Sequence, residues 1–300
     1  PNLGYLTAAD YSNITDGSWS YDASGNRSNS GYTYDELNRM TASPGATYVH
    51  DTVGNRTKKT VGTPSLGNYT EFGWDAMNRM IHTETNAAND LVAKSDMRYR
   101  ADGLRTMKIA GDEDPGNSTN VEEELSSYYD FNAAVNNRTW LYHYDGQMSV
   151  SEVFTGSVEG NDVQDVTHNV LGARGIDCIE AQRAMSFIPN DSVYAAGLKR
   201  QYPLYDGHGN MFASVIRGSG TSYQLVNEKR YDAWGSLASS SGAGAALANP
   251  KEGYCGSIGH KLDPESGLIY MRARYYEPGT GRFISEDPAM DGANWYVYCG

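Results

Sequence analysis

The stretch Tyr21-Asp22-Ala23-Ser24-Gly25-Asn26-Arg27 joins an aromatic residue and an acid to a short Gly/Asn turn and an arginine. The chain repeats this phrase several times with substitutions. Fuller copies are Tyr34-Asp35-Glu36-Leu37-Asn38-Arg39, His50-Asp51-Thr52-Val53-Gly54-Asn55-Arg56, Trp74-Asp75-Ala76-Met77-Asn78-Arg79 and Tyr99-Arg100-Ala101-Asp102-Gly103-Leu104-Arg105, and looser echoes begin at Tyr144, Tyr205 and Tyr231-Asp232. Repetition of one small unit predicts a core that is built by stacking neighbouring copies.

Each copy predicts a β-hairpin. In Gly31-Tyr32-Thr33-Tyr34-Asp35 the aromatic residues alternate with a β-branched residue, which places both tyrosines on one face of a strand. The Asp is suited to begin a turn, and Gly25-Asn26 and Gly54-Asn55 tolerate the positive φ of tight hairpin turns. The arginine then starts the return strand. It either pairs with the Asp across the turn or lies over a tyrosine ring of an adjacent copy.

The composition predicts an all-β fold, an antiparallel sheet of stacked hairpins with few short helices. The chain has 23 tyrosines, six phenylalanines and 33 glycines. This composition is typical of strands that have one solvent-exposed face and are joined by many turns. The best helical candidates are residues 121–135 and 87–97, both too short or too polar to define a domain. The absence of a long apolar run predicts no membrane span.

The charge and the distribution of metal-binding residue types exclude several classes of function. A formal net charge of −13 argues against binding nucleic acid, because phosphate is repelled by the average surface field. Residues 112–117 are acidic but lack the alternation and the distal Glu of an EF-hand loop. None of the six histidines stands at metal-ligand spacing with a second His or Cys: His50, His82, His143, His168, His208 and His260. We therefore predict no metal, no cofactor and no catalytic residue.

Three cysteines are too few to staple 300 residues together. A bridge between Cys255 and Cys299 is one interpretation, with Cys178 unpaired. Small buried apolar residues are an equally good explanation of Cys255 and Cys299. Both alternatives stay open.

The organisation of the chain changes near residue 237. Residues 1–236 carry the repeats, residues 237–250 are small, neutral and typical of a flexible loop, and residues 251–300 form a dense final segment. We expect the first and last regions to form one continuous structural domain. Because the chain begins with Pro1, we expect an internal segment of a longer polypeptide whose targeting signal lies elsewhere.

The dense final segment predicts a turn at residues 262–267 and one strand from Leu268 to Tyr275. Arg272 and Arg274 then share a strand face. In so acidic a chain, we expect them to anchor carboxylates or carbonyls of neighbouring turns. A second turn and strand follow at residues 277–288.

This segment resembles the RHS repeat-associated core, and the upstream units resemble YD repeats. The resemblance lies in Asp263-Pro264-Glu265-Ser266-Gly267-Leu268-Ile269-Tyr270, Arg272-Ala273-Arg274-Tyr275-Tyr276, Gly281-Arg282-Phe283 and Asp287-Pro288. The family includes bacterial RHS and wall-associated polymorphic toxins, the C components of insecticidal Tc toxins, and teneurins. The resemblance implies a β-sheet that spirals into a hollow shell, encloses a C-terminal effector in toxin members, and has one end plugged by the core segment.

The resemblance does not extend to self-cleavage. Family toxins continue past an Asn-x-Tyr-x-Tyr phrase, here Asn294-Trp295-Tyr296-Val297-Tyr298, into the block where cleavage occurs. The given residues end at Gly300, so we assign no protease role to Asp287.

Three functions therefore compete. The first is a structural shell segment that encloses or displays a cargo, such as a toxin outside these residues. The second is a self-assembling extracellular tube or fibre, because unpaired sheet edges are templates for the next chain. The third is a self-cleaving or carbohydrate-active enzyme. We expect the partners to be the rest of the shell or further copies of the chain, possibly with an enclosed toxin, and we expect a bacterial extracellular or cell-surface location.

Overall fold

The computed structural model describes residues 5–11, 15–111, 138–158, 161–173, 175–186, 199–218, 221–241 and 252–298. Fifteen of its strands form one antiparallel sheet in which each inner strand pairs with the strands before and after it in sequence. This order is that of consecutive hairpins, so the predicted all-β antiparallel fold is confirmed. The fifteen strands are β3 Thr33–Tyr34, β4 Met40–Ser43, β5 Ala46–His50, β6 Arg56–Val61, β7 Tyr69–Trp74, β8 Met80–Ala87, β9 Asp90–Tyr99, β10 Arg105–Gly111, β11 Arg138–Asp145, β12 Met148–Val158, β13 Asn161–Gly172, β14 Gly175–Ser186, β15 Lys199–Tyr205, β16 Met211–Arg217 and β17 Tyr223–Val226.

Three small sheets accompany the large one. β1 (Ala8–Ala9) pairs with β2 (Gly17–Ser18), and β18 (Glu228–Tyr231) pairs with β19 (Leu237–Ser241). The final segment forms a four-stranded sheet of consecutive hairpins: β20 Lys261–Asp263, β21 Leu268–Met271, β22 Arg274–Glu277 and β23 Arg282–Phe283. Short 3-10 helices lie at Pro64–Leu66 and Gly256–Ile258.

The repeated hairpins share one irregularity beside the turn. Trp74 on β7 pairs with Met80 on β8, but the next partners are Gly73 and His82, so Ile81 is an extra residue. Such an insertion is a β-bulge. The aromatic position pairs with the residue six places later, next to a bulge, in these further hairpins: Tyr34–Met40, His50–Arg56, Tyr99–Arg105, Tyr205–Met211 and Tyr231–Leu237. The sequence repeat therefore corresponds to a repeat of backbone register.

The core lies between the large sheet and the four-stranded sheet. One buried cluster joins Phe72, Met80 and Met97 of the large sheet to residues of β21 and β22, including Leu268 and Tyr275. A second joins Tyr254 and Cys255 to aromatic and apolar residues of β21–β23. The final segment thus supplies the second layer that one face of the large sheet needs for burial.

Two of the local predictions are wrong. Residues 87–97, predicted as a helix, contain the end of β8 and most of β9, joined by a turn in which Ala88 and Asn89 have φ of +53° and +69°. Pairing with the neighbouring strands outweighs the local helix propensity. The single strand predicted from Leu268 to Tyr275 is a hairpin, because Arg272 adopts φ of +63° and Met271 pairs with Arg274.

Other predictions fall partly or wholly outside the described residues. Leu237–Ser241, the start of the predicted loop, forms β19, whereas residues 242–250 are outside the description. The helical candidate at 121–135, the acidic stretch at 112–117 and Cys299 also lie outside it.

Candidate functional site

The repeat turns are built around an aspartate side chain. Asp35 Oδ1 accepts hydrogen bonds from the backbone N–H groups of Leu37 and Arg39, both at 3.0 Å. Although burial favours the neutral acid, the hydrogen bonds from Arg39 and Leu37 lower the pKa of Asp35. The same pair of bonds, to the second and fourth residues after the Asp, forms at Asp22, Asp51, Asp75, Asp206 and Asp232.

Five of these six turns are of two kinds, which differ in the residue four places after the Asp. In the Asn turns this residue is an asparagine, and Asn55 Nδ2 donates to Asp51 Oδ2 at 3.0 Å. Asn26 and Asn210 do the same. In the Arg turns it is an arginine, and Arg79 Nη2 lies 2.7 Å from Asp75 Oδ2. Arg39 forms the equivalent pair with Asp35. The same Asp oxygen is therefore occupied by two different side chains.

The first five turns are linked to one another along the edge of the sheet. Asn turns reach the next turn through a side-chain amide, since Asn26 and Asn55 Nδ2 donate to Asn38 and Asn78 Oδ1 at 2.8 and 3.0 Å. Arg turns reach it through a guanidinium, since Arg39 and Arg79 Nη1 donate to the carbonyls of Asp51 and Arg100 at 3.2 and 2.9 Å. The predicted repeat residues thus form a continuous ladder of turns.

A second set of arginines points the other way, into the protein. These arginines start the return strand, and Arg27, Arg56 and Arg105 are 5, 1 and 0% exposed. Arg27 lies with its guanidinium carbon 4.5 Å from the ring of Trp234, and its Nη2 atom occupies the space that a side chain on Gly281 would need. Of the two interactions predicted for the repeat arginines, Arg39 and Arg79 pair with the Asp of their own turn, whereas Arg105 lies over the ring of Tyr142.

Glu277 of β22 is the partner of Arg56. Arg56 Nη1 and Lys59 Nζ each donate to one carboxylate oxygen at 2.7 Å, and Thr280 Oγ1 adds a third bond at 2.8 Å. Burial alone would raise the pKa of Glu277, but Arg56 and Lys59 lower it to about 2. The buried carboxylate is therefore ionised and satisfied.

Asp263 of β20 is the partner of Arg105. Both guanidinium Nη atoms of Arg105 contact the Asp263 carboxylate, and Lys108 Nζ donates to its Oδ1 at 3.0 Å and to Glu265 Oε2 at 2.9 Å. Arg105 Nη1 also donates to the Tyr275 hydroxyl at 3.0 Å. Arg105, Lys108 and Asp263 are at most 2% exposed. A single buried acid therefore holds two cations of the large sheet.

In a third buried cluster the final strands supply the cation and the acids come from elsewhere in the chain. Lys261 of β20 lies 2.7 Å from Glu152 of β12 and 2.8 Å from Glu252. Although burial disfavours the charged amine, Glu152 and Glu252 raise the pKa of Lys261.

The C-terminal half of the final segment closes onto the first turns. Arg282 donates to Asn26 Oδ1 and to the Asn38 carbonyl, both at 2.8 Å, and to Asn294 Oδ1 at 3.2 Å. Burial lowers the pKa of Arg282 to about 10. The Tyr296 hydroxyl donates to the Gly54 carbonyl at 2.8 Å. The final segment thus contacts the repeats through hydrogen bonds to neutral oxygens of the turns as well as through ion pairs.

The remaining motif residues take several positions. Tyr270, Tyr275, Tyr276 and Phe283 are buried, whereas Arg272 and Arg274 are half-buried. Arg272 donates to the carbonyls of Gln147 and Ile258 from its hairpin turn, at 3.0 and 2.7 Å. Gly267 and Gly281 provide positive φ at turns, and Trp74 Nε1 donates to the Arg56 carbonyl at 2.7 Å.

The Asp-Pro step is half-buried at its aspartate. Arg274 Nη2 lies 3.2 Å from Asp287 Oδ2, and Arg274 Nη1 donates to the Trp295 carbonyl at 3.0 Å. Pro288 is exposed.

Sequence reasoning missed the partners that the final segment uses. Lys59, Lys108, Glu152, Glu252 and Glu277 were not predicted as site residues, and they lie far in sequence from the groups they bind. The sequence shows only that these residues are charged. It does not show which of them faces a given repeat arginine.

Within the described part of the chain, no helix is long and apolar enough to cross a membrane. Among the same residues, no group of three or more His, Cys, Asp or Glu side chains is placed to hold a metal ion.

No protein-family model matches the chain. Among characterised sequences, it is 26% identical over 301 residues to the tRNA3(Ser)-specific nuclease WapA of Bacillus spizizenii, a match that covers 95% of this chain and 9% of that protein. It is also 26% identical over 265 residues to the tRNA nuclease WapA of Bacillus subtilis, covering 84% of this chain and 10% of that protein. The chain therefore spans about a tenth of the length of these curated relatives.

Solved structures of Tc toxins share the fold. The crystal structure of TcdB2-TccC3 aligns with a TM-score of 0.53 at 18% identity, over 94% of this chain and 16% of that one. The Photorhabdus luminescens Tc holotoxin pore aligns with a TM-score of 0.52 at the same identity and coverage. The resemblance to RHS-repeat proteins, predicted from the repeats and the core motif, is confirmed.

Proposed function

We propose that this chain, which resembles RHS-repeat proteins in sequence and fold, is a segment of a β-sheet shell that encloses or displays a cargo. The observation that carries the proposal is the docking of the final segment onto the large sheet through buried charges. Asp263 and Glu277 hold Arg105 and Arg56, which are the return-strand arginines of two repeats. These contacts support the proposal that the repeats and the final segment are complementary parts of one structure.

The buried pairs suit a plug that must sit in one position. A buried charge without its partner costs several kcal/mol, so a final segment shifted by one hairpin would leave Arg105, Lys108 or Asp263 uncompensated. Apolar packing alone would tolerate such a shift more readily. The charges therefore select the docking position, while Leu268, Tyr275 and their neighbours supply the buried apolar area.

The proposed cargo is a toxin that lies outside these residues. The WapA relatives are named as tRNA nucleases, and the chain corresponds to only 9–10% of their length. The proposal therefore assigns containment to this segment and catalysis elsewhere. An acidic wall suits this role, and the net charge of −13 supports our prediction that the wall itself does not bind nucleic acid. We place the protein outside the bacterial cell or on its surface.

The docking is testable by cutting the chain between its two parts. A site-specific protease sequence inserted in the 242–250 stretch allows cleavage of the purified protein, followed by gel filtration without denaturant. We expect the fragment that contains residues 252–298 to co-elute with the sheet, and to separate from it when Asp263 and Glu277 are both replaced by alanine. Separation of the unsubstituted fragment would contradict the plug role.

A tube or fibre is the second candidate. In the described residues, β3 and β17 end the large sheet and each pairs with one strand only. Unpaired edges favour addition of another chain. Electron microscopy of the purified chain distinguishes the two: single curved particles support the shell segment, and long polymers support the fibre.

A further inference from the structure

Three neighbouring turns of the ladder expose an apolar side chain at their tips. Leu37, Val53 and Met77 are 59, 53 and 64% exposed, and each stands two residues after the Asp that begins its turn. The turn itself does not require an apolar residue there, because Ser24 and His208 donate the same backbone hydrogen bond to their own Asp. The three apolar side chains therefore need another explanation.

The three tips lie in a row, which we call the tip ridge. Hydrogen bonds of the ladder join the Leu37 turn to the Val53 turn at 3.2 Å and the Val53 turn to the Met77 turn at 3.0 Å. Successive hairpins are two strand spacings apart, so the tips follow one another at about 10 Å and the ridge is about 20 Å long. Its ends are polar, because Ser24 and Asp102 occupy the tip position in the preceding and following copies. A single exposed apolar residue is ordinary on a protein surface, whereas an aligned set is typical of an interaction site.

The surroundings of the tip ridge are acidic. Glu36 is exposed next to Leu37, and the final segment, which packs against the same turns, adds the half-buried Glu286 and the exposed Asp291. The two cations of these turns, Arg39 and Arg79, are already paired with the Asp of their own turn. The acids therefore give this surface a negative potential.

We propose that the tip ridge binds a cationic amphipathic helix of another protein. Apolar side chains on one face of the helix contact Leu37, Val53 and Met77, and lysine or arginine side chains beside that face lie over the surrounding acids. The spacing suits a helix, because residues seven positions apart on one helix face are separated by about 10.5 Å. A strand presents residues on one face every 6.8 Å or so, which does not match tips about 10 Å apart.

The charge of the ridge selects among the classes of partner. A second copy of the chain would bring the same acids against each other, and an anionic lipid surface or a nucleic acid would be repelled in the same way. A cationic amphipathic helix covers the apolar tips and neutralises the acids in one contact.

The experiment uses the full chain and a fluorescein-labelled synthetic peptide with leucine on one helix face and lysine elsewhere. A peptide of about 16 residues spans about 24 Å as a helix, enough to cover the ridge. Fluorescence anisotropy measures its dissociation constant. We expect the triple variant Leu37→Ser, Val53→Ser, Met77→Ser to bind at least roughly tenfold more weakly. Its melting temperature should not change, because serine is the native residue at the tip of the first copy, Ser24.

The matched control replaces exposed apolar residues that lie outside these turns. Val170 on β13 and Leu225 on β17 are 46 and 49% exposed, and the double variant Val170→Ser, Leu225→Ser keeps the net charge of the chain. We expect it to bind the lysine peptide as the wild type does. Equal losses in the triple and double variants, or no binding by the wild type, would overturn the proposal.

Two further peptides test the chemistry of the partner. One has glutamate in place of lysine, and the other keeps the lysines but has a central proline that breaks the helix. We expect both to bind at least roughly tenfold more weakly than the lysine helix, and equal affinity of either would overturn the proposal. Gel filtration of the chain alone addresses the remaining occupant. A dimer that the triple variant dissociates would show that a second copy covers the ridge, which would also overturn the proposal.

Discussion

The turn ladder and the interface with the final segment both contain Asp–Arg ion pairs, but these pairs differ in sequence separation and in burial. In the ladder, Asp35 and Arg39 are four residues apart and their side chains are 29 and 22% exposed. At the interface, Arg105 and Asp263 are 158 residues apart and at most 2% exposed. Water screens the first pair, so it contributes little beyond local turn geometry. Loss of one partner from the second leaves a buried charge. The comparison separates residues that shape a hairpin from those that position the final segment.

The largest effect should follow the loss of Asp263. Asp263→Ala leaves Arg105 and Lys108 buried without their shared acid, and we expect the free energy of unfolding to fall by about 3–5 kcal/mol. Asp35→Ala is the matched change in the ladder and should cost about 1 kcal/mol. Urea unfolding of both variants measures the difference, and equal losses would remove the distinction between the two regions.

Acid should weaken the interface through Glu277. Its pKa is about 2 in the folded protein and 4.5 as its ordinary value, so the folded state favours the ionised form. The resulting stabilisation, roughly 3 kcal/mol, is complete above pH 4.5 and is lost as the pH falls toward 2. Unfolding free energies of the wild type and Glu277→Gln should converge over that range. Parallel pH curves would show that Glu277 does not titrate as proposed.

Two histidines should show opposite dependence on pH. Burial lowers the pKa of His260, in the final segment, to about 4, so its contribution is present above pH 6.5 and is lost as the pH falls toward 4. Asp96 raises the pKa of His82 in the large sheet, so its contribution is present below pH 6.5 and is lost as the pH rises through the folded value.

The check is the slope of stability against pH between 4 and 7. His260→Gln should flatten the loss of stability on acidification, whereas His82→Gln should steepen it. Slopes that change in the same direction would contradict the assignment.

The smallest effect should follow substitution at the Asp-Pro step. Asp287→Asn removes the charge paired with the half-buried Arg274 and should cost about 1 kcal/mol. We also expect no self-cleavage of the isolated chain, with or without the substitution, as measured by intact mass after incubation. Cleavage that Asp287→Asn abolishes without loss of folding would favour the enzyme interpretation.

The local parts of the fold were predictable from the sequence because their causes are local. Asp35 accepts hydrogen bonds from backbone N–H groups two and four residues later, so the repeated Tyr-Asp motif itself indicates where each turn begins. The hairpin at Arg272 was not predictable in the same way, since its alternation continues unbroken through the turn. The turn depends on the positive φ of Arg272, and an arginine in the sequence does not indicate a positive φ.

The long-range partners could not be predicted because no periodicity connects them. Glu277 stands before a Pro-Gly turn and resembles any exposed turn acid, yet it is 4% exposed between Arg56 and Lys59. The motif resemblance located the final segment. It did not identify which face of which hairpin the segment contacts.

The bulge that each repeat places beside its turn acts on the shape of the whole sheet. A bulge bends its strand and increases the local twist. Because the bulges recur at the same place in successive hairpins, their small rotations add with a constant sign instead of cancelling. In the proposed shell, the total curvature of the wall would grow with the number of repeats, so that gaining or losing whole hairpins would change the enclosed volume without any change within a hairpin.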